Sequence, residues 1–259
     1  MKVISIENEK GGVGKSTTTV NLAACFGMAG YSVLVIDLSS QANTTKTLLT
    51  NRTVHHHQEV TNSIYDVLTG KSGLTVEKAI RQTREENVFL IPGHHLMKRA
   101  EIEIMPQMDS YRALQRLAGE LEKLNYEFVI IDTPPEIQFL KQMAAMASDM
   151  IIIPVLPSEY ALDGIEGMII DLAKVTQMRG TNLEIRILLC QSEADIETRY
   201  AREMLNENYA NNLFSVDIPK RRVVKTAQRH NKSVVSYASK SEASVAYALL
   251  AQEVLKLYG

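Results

Sequence analysis

Val3-Ile4-Ser5-Ile6-Glu7-Asn8-Glu9-Lys10-Gly11-Gly12-Val13-Gly14-Lys15-Ser16-Thr17-Thr18 opens the chain with a short apolar run, a glycine-rich turn and the start of a helical pattern. Strand, turn and helix start in that order are the setting a phosphate-binding loop requires. Gly11, Gly12 and Gly14 let the backbone curl, so that successive N–H groups, that of Val13 included, point inward at phosphate oxygens. The helix start adds partial positive charge. Lys15 is placed to reach the β/γ-phosphates, Ser16 to ligate Mg²⁺, and Thr17 follows in the same turn. The usual pattern has a glycine five residues before Gly14, where this chain has Glu9, and Lys10 heads the loop as an additional lysine. A second cation beside a triphosphate is redundant within one subunit, and makes sense if it reaches a nucleotide held by a partner chain.

At 259 residues the chain can bury the core of one large α/β domain. Its net charge of −2 provides no global field toward nucleic acid, so any such binding must come from a local patch. Cys25 and Cys190 are far apart, in apolar surroundings and without metal-ligand spacing, which reads as reduced core thiols of a cytosolic protein. The phosphate loop begins almost at once, so no signal peptide is expected, and no apolar run approaches the length of a bilayer span.

After the loop, Thr17 to Ala29 reads as a helix whose small residues Ala23, Ala24 and Gly27 suit close packing on a sheet, with Gly30 as its stop. Val33-Leu34-Val35-Ile36-Asp37 is a fully apolar strand ending in a carboxylate, the mark of a parallel strand buried on both faces. Phe128–Asp132 and Met150–Pro154 repeat the design, and Ile185–Leu189 is a fainter version. Helical patterns lie between them. Ala161, Ile165, Met168, Ile169 and Leu172 share one face, as do Leu249, Leu250, Val254 and Leu257. This alternation predicts a doubly wound, mostly parallel sheet with helices on both faces, in a single domain over residues 1–259.

Asp132 ends a strand, on the side of a parallel sheet where ligands bind, and Thr133-Pro134-Pro135 follow it. His55-His56-His57 form a run in a polar loop with no carboxylate or cysteine cluster beside them; these, and His94-His95, read as solvated loop. Residues 220–232 hold six Lys/Arg and no Asp/Glu, a local basic patch in a slightly acidic chain. Its functional reading is contact with DNA phosphates through Arg221, Arg222, Lys225 and Arg229, with affinity falling steeply with salt.

The loop resembles the deviant Walker A motif of the ParA/MinD family of P-loop ATPases. In that family the first lysine crosses an ATP-sandwiched dimer interface, so the resemblance implies that role for Lys10. Asp132-Thr133-Pro134-Pro135 resembles the family's Walker B aspartate and γ-phosphate switch, with Asp132 holding Mg²⁺ through water. Asp37-Leu38-Ser39-Ser40-Gln41-Ala42-Asn43 aligns without a gap to the family's Asp-Leu-Asp-Pro-Gln-Gly-Asn, but Ser39 replaces the aspartate that positions the attacking water, Ser40 a proline and Ala42 a glycine. A neutral hydroxyl neither accepts a proton readily nor attracts the metal. The expectation is therefore intact ATP binding with slow hydrolysis; the alternative is a rescued ATPase in which Gln41 orients water or Asp37 changes role.

Further matches run through Ser63–Leu68, Leu74–Ile80, Ile91–Gly93 and Pro154–Gly164, so the resemblance covers essentially the whole chain, and the last stretch points to the chromosome and plasmid partition branch. Ile218-Pro219 resembles the family's Ile-Pro near the adenine. Arg199 falls where the family often has another DNA-binding arginine, although the local match is weak. The implied protein is cytoplasmic and nucleoid-associated, with ATP and Mg²⁺ as cofactors. It would form a homodimer on ATP binding, hold DNA without sequence preference, and be released by hydrolysis that a ParB-like centromere-binding partner triggers. With the loop starting at Lys10, no N-terminal helix-turn-helix is expected. A MinD-like membrane-surface ATPase is the alternative, disfavoured because residues 245–259 carry one lysine rather than a basic amphipathic face. A metabolic phosphotransferase is a third class, and it lacks a recognisable acceptor site.

Overall fold

The computed structural model describes residues 1–49, 60–70, 73–158 and 161–258, apart from the side chains of Ala161 and Asp163. His55-His56-His57, Glu159 and Tyr160 lie outside the described residues. The strands are β1 (Lys2–Ile6), β2 (Val33–Asp37), β3 (Arg81–Gln82), β4 (Val88–Ile91), β5 (Phe128–Asp132), β6 (Met150–Val155), β7 (Glu184–Ser192) and β8 (Ile218–Pro219). The helices begin with α1 (Lys15–Met28), α2 (Asn43–Leu48), α3 (Ile64–Thr69), α4 (Val76–Ala79), α5 (Ala100–Glu103) and α6 (Ala113–Leu121). They continue with α7 (Gln138–Ala147), α8 (Ala161–Arg179), α9 (Ile196–Tyr209), α10 (Arg222–Arg229), α11 (Val234–Tyr237) and α12 (Glu242–Tyr258).

The eight strands form one sheet in the order β3-β4-β2-β5-β1-β6-β7-β8. All neighbours are parallel except β3, which runs antiparallel along the edge of β4. Period-2 alternation splits each apolar strand between two layers. Val33, Val35, Phe128, Ile130, Met150 and Ile152 enter the core beneath α1 and α12, whereas Leu34, Ile36, Val129 and Ile131 enter the core beneath α6 and α7. Ile151, Ile153 and Val155 pack under α8 and α9. Burial on both faces is why these strands are apolar at every position before their C-terminal ends. The expected doubly wound α/β sheet is the observed one.

Helix α1 runs along the sheet with Ala23 and Ala24 buried. Gly27 lies so close to the turn before β4 that a Cβ there would stand 2.0 Å from the Glu86 carbonyl oxygen. Gly30, at φ +95°, turns the chain after the helix. On α12 the expected apolar face is corrected. Leu250 and Val254 are buried with Ala243, Tyr247 and Ala251, while Leu249 (46%) and Leu257 (41%) are exposed. Successive residues on a helix differ by about 100° in direction, so with Leu250 and Ala251 both facing the core Leu249 is turned outward. His94 and His95 are half-buried rather than solvated: His94 stacks on Tyr65 and lies tilted against His95, and its Nδ1 accepts the Leu96 N–H at 3.3 Å. Among the described residues no helix is long and apolar enough to cross a membrane, and no His/Cys/Asp/Glu group could hold a metal ion by itself.

Candidate functional site

Strand β1 lies between β5 and β6, so the chain leaves its C-terminal end at the point where the sheet's winding changes direction. Ligands of open α/β sheets bind in that crevice. The loop from Glu9 to Gly14 fills its edge. Gly12 (φ +77°) and Gly14 (φ +107°) hold conformations that side chains rarely adopt, which is why the turn is built from glycine. Asn8 fixes the loop's entry: its Nδ2 donates to the Pro154 carbonyl and its Oδ1 accepts the Lys10 N–H, both at 2.8 Å. The Lys15 ammonium curls back to the Lys10 carbonyl at 2.9 Å. Burial lowers the Lys15 pKa to about 8, against the pull of the nearby Asp132 carboxylate. Gly11, Gly12, Gly14, Lys15, Ser16 and Thr17 line the cleft. Val13 is buried beneath it. Lys10 is exposed at the loop's head, its Cε within 3.9 Å of where a Cβ on Gly164 of α8 would lie.

Asp37 and Asp132, both fully buried, face each other at the ends of β2 and β5. The turn after β2 starts α2 directly over them. Thr44 Oγ1 donates to Asp132 Oδ2 at 2.7 Å, and Thr45 Oγ1 and N–H donate to Asp37 Oδ2 at 2.7 and 2.9 Å. Asp37 Oδ1 accepts the Ser39 N–H at 3.0 Å. The Ser16 hydroxyl also stands near Asp132 and favours its ionised form. Burial raises both carboxyls above the usual range; Asp132 is pushed up to about 7, the adjacent Asp37 adding to the shift and the Ser16 hydroxyl and the Thr44 bond opposing it. Asp132 Oδ1 is buried and has no hydrogen-bond partner. Thr133 Oγ1 donates to the Ile6 carbonyl at 2.9 Å, tying the Asp-Thr-Pro-Pro turn to the start of the loop. Ser39 is nearly buried, and its Oγ accepts the Gln41 N–H at 3.2 Å. Gln41 is exposed in the cleft. Ala42 takes φ +50°, a left-handed turn at the position where the aligned motif has glycine.

The cleft has a volume of about 830 Å³. Its far wall joins Ile218, Pro219 and Tyr247 to Lys220, Arg221, Lys225 and Arg229, so much of the basic segment stands beside the phosphate loop. Lys220 is bonded to Glu193 at 2.6 Å, and Arg221 pairs with Glu242. Lys225 and Arg229 are exposed on α10, one turn apart. Arg222 is exposed on the same helix but does not line the cleft, and Arg199 is exposed on α9. Cys25 and Cys190 are buried free thiols, as expected. Cys190 also lies at the cleft, its Sγ 3.7 Å from where a Cβ on Gly14 would be, with burial pushing the thiol up to about 12.

Several residues of the site carry no motif. Thr44 and Thr45 bond the carboxylates, and Lys46 of α2 faces the cleft. Gln191 Nε2 donates to the Gly12 carbonyl and Gln228 Nε2 to Thr17 Oγ1, each at 2.9 Å, across 179 and 211 residues of chain. Glu7, buried just before the loop, keeps one oxygen without a partner. The one sequence signal for any of these is Glu7 itself, an acid placed directly after an apolar run.

A family model described as an AAA domain matches residues 1–187. The sporulation initiation inhibitor protein Soj of Bacillus subtilis (strain 168) is 33% identical over 256 residues, covering 98% of each chain. The chromosome partitioning protein ParA of Caulobacter vibrioides (strain NA1000 / CB15N) is 29% identical, covering 98% of this chain and 94% of its own. Among solved structures, the septum site-determining protein MinD of Pyrococcus horikoshii OT3, complexed with Mg-ADP, superposes with a TM-score of 0.78 at 26% identity, over 100% of this chain and 97% of that one. With the phosphate loop, the paired strand-end carboxylates and the strand order all in place, the chain belongs to the ParA/MinD family of P-loop ATPases, among its Soj/ParA members.

Proposed function

We propose that this protein is a ParA-type DNA partition ATPase, built as one domain over residues 1–259, that binds ATP and Mg²⁺, pairs with a second copy and then holds DNA without sequence preference. The observation that carries the reading is the single cleft joining Gly11–Thr17 to Lys225 and Arg229, which puts nucleotide and candidate DNA contacts on one surface. The chromosome partitioning relative and the Mg-ADP-bound MinD structure support it.

The residues present fit the two cofactors. Successive loop N–H groups and Lys15 suit the phosphates, and Pro219 with Ile218 gives an apolar wall for a base. The unpartnered Asp132 Oδ1, beside the Ser16 hydroxyl, suits a hydrated divalent cation. Bound Mg²⁺ would neutralise charge developing on the transferred phosphoryl group. In this reading Ser16 orients the cation, Asp132 holds its waters, and Lys15 binds the β/γ-phosphates. Lys10, exposed at the head of the loop, extends toward the nucleotide of the second copy. Ser39 provides a hydroxyl where a carboxylate would position the attacking water, so intrinsic turnover is slow. Asp37 is committed to three hydrogen bonds and does not replace it. A ParB-like partner speeds hydrolysis and frees the protein from DNA. The protein works in the cytoplasm, on the nucleoid.

A DNA mobility-shift assay with no nucleotide, ADP and ATP, at two salt concentrations, tests this. The expected result is ATP-dependent retention that weakens steeply with salt and is lost in Lys15→Ala. Retention that ignores nucleotide, or survives Lys15→Ala unchanged, overturns the reading.

A further inference from the structure

Helix α10 carries Lys225 and Arg229 but is lightly seated. Ala227 is its one fully buried residue, with Val223 and Val224 partly buried against the core. Its polar tie to the phosphate-loop helix is Gln228, half-buried, whose Nε2 donates to Thr17 Oγ1 at 2.9 Å. One turn further along α1 stands a second tie of different character. Asn21, 2% exposed, donates from Nδ2 to the Thr17 carbonyl at 2.8 Å and accepts the N–H of Val234, the first residue of α11, at 2.7 Å. The Ser233 N–H beside it donates to Glu85 Oε1 at 2.8 Å. The chain reverses between the two helices through Asn231, at φ +52°. So α11 is fixed by buried bonds, whereas the polar tie of α10 to α1, beside its apolar contacts, is one hydroxyl in the first turn after the phosphate loop.

We propose that Gln228 is a positioning residue that makes the placement of α10, and with it Lys225 and Arg229, depend on nucleotide at the phosphate loop within a single protomer. A threonine hydroxyl has one proton and two lone pairs, so Thr17 can accept from Gln228 while donating elsewhere. A phosphate oxygen at the helix start is an acceptor for that proton, and a charge-assisted bond of this kind is strong. Donation to it polarises the hydroxyl and strengthens the bond accepted from Gln228. Nucleotide therefore tightens α10 before any second copy arrives. The inference rests on the partition reading for its nucleotide and for the use of the basic helix, and adds a link inside one chain.

The test is amide hydrogen exchange of residues 222–229 in the full chain, at concentrations where sedimentation shows a monomer. It is run with and without a saturating non-hydrolysable ATP analogue and Mg²⁺. Wild type should show exchange slowed by roughly three- to tenfold on nucleotide addition, the range one hydrogen bond's net contribution gives. Gln228→Leu and the similarly sized Gln228→Glu, whose carboxylate cannot donate, should both lose that protection. Because two variants of different chemistry are compared at saturation, neither a folding defect in one nor a shifted affinity imitates the result. No protection in wild type, or equal protection in both variants, overturns the proposal. DNA retention separates it from the partition reading. Protection that depends on Gln228 without DNA binding supports the link and sinks the partition function. ATP-dependent DNA binding with α10 equally protected in wild type and both variants does the reverse.

Discussion

Asp37 and Asp132 stand opposite each other in the parallel register of β2 and β5, and two consecutive threonines at the start of α2, Thr45 and Thr44, each bond one of them. The pairing gives the two carboxyls different tasks. Asp37 accepts three hydrogen bonds and thereby anchors the first turn of α2. Asp132 keeps one buried oxygen without a partner. Strand-end acids that look alike in sequence are thus divided into a structural one and an available one.

Thr45 is the hinge of that division, because its Oγ1 also accepts the Gly93 N–H at 2.9 Å. Thr45→Val keeps the shape and removes both bonds, leaving a buried N–H and a buried carboxylate each short of a partner. The expected destabilisation is about 1–3 kcal/mol, the usual cost of a stranded buried polar group. Urea unfolding of both proteins measures it, and a midpoint unchanged within error would mean that Asp37 and Gly93 find other partners.

Ser39→Asp should raise ATP turnover. The hydroxyl of Ser39 is held by the Gln41 N–H close to Asp37 and the cleft, so a carboxylate there lies within reach of an attacking water. A positioned general base contributes on the order of 10²–10⁴-fold. Crowding with Asp37 and Asp132 reduces that, so the expected gain in phosphate release is at least roughly tenfold. An unchanged rate would mean that another group, Gln41 first among them, already directs the water.

Much of the scaffold was legible because it repeats one local signal. Val33–Ile36, Phe128–Ile131 and Met150–Val155 are apolar at every position since helices cover both faces, and no distant information is needed to read them. The phosphate loop was legible for the same reason, since its chemistry is contiguous. Val88–Ile91 is equally apolar, yet its four residues follow a turn at Asn87 and do not stand out as a strand. Two-residue β3 and β8 carry no period at all. The support of the site was hidden by distance: Thr44 meets Asp132 across 88 residues, and Gln228 meets Thr17 across 211. A threonine at a helix start, or a glutamine on a basic helix, looks the same with or without such a partner.

Ala42 marks a place where the chain holds a conformation its residue resists. Its φ of +50° brings an alanine Cβ toward its own carbonyl, at a cost of about 1–2 kcal/mol that glycine avoids. Ala42→Gly should therefore stabilise the fold by roughly 0.5–1 kcal/mol, part of the relief being offset by the more flexible unfolded chain. Thermal melts at matched concentration check it. Lower stability in the variant would show that the methyl's packing, at 3% exposure, outweighs the strain.

Glu7 sits at the head of a small cavity between α7 and α8, about 20 Å³ and so large enough for one water. Lys141, also buried, donates to Glu9 Oε1 at 3.1 Å, while Glu7 Oε1 has no partner. Burial pushes the Glu7 carboxyl up to about 8, with the Lys141 charge opposing the shift. The folded state thus holds this proton far more tightly than the unfolded chain, where the ordinary value near 4.5 applies. A raised folded-state pKa contributes stability that is complete below the unfolded value and is lost as pH rises through the folded one. Between pH 4.5 and about 8 each unit should therefore remove up to roughly 1.4 kcal/mol from wild type through this group. Glu7→Gln has the shape of the neutral acid and nothing to ionise. Its unfolding free energy should match wild type only at pH values well below 4.5, exceed it increasingly from there toward pH 8, and hold a constant lead above that. Urea titrations of both proteins at five pH values give the difference curve directly; a difference independent of pH would mean that Glu7 is ionised in the fold and that Lys141 has turned from Glu9 to meet it.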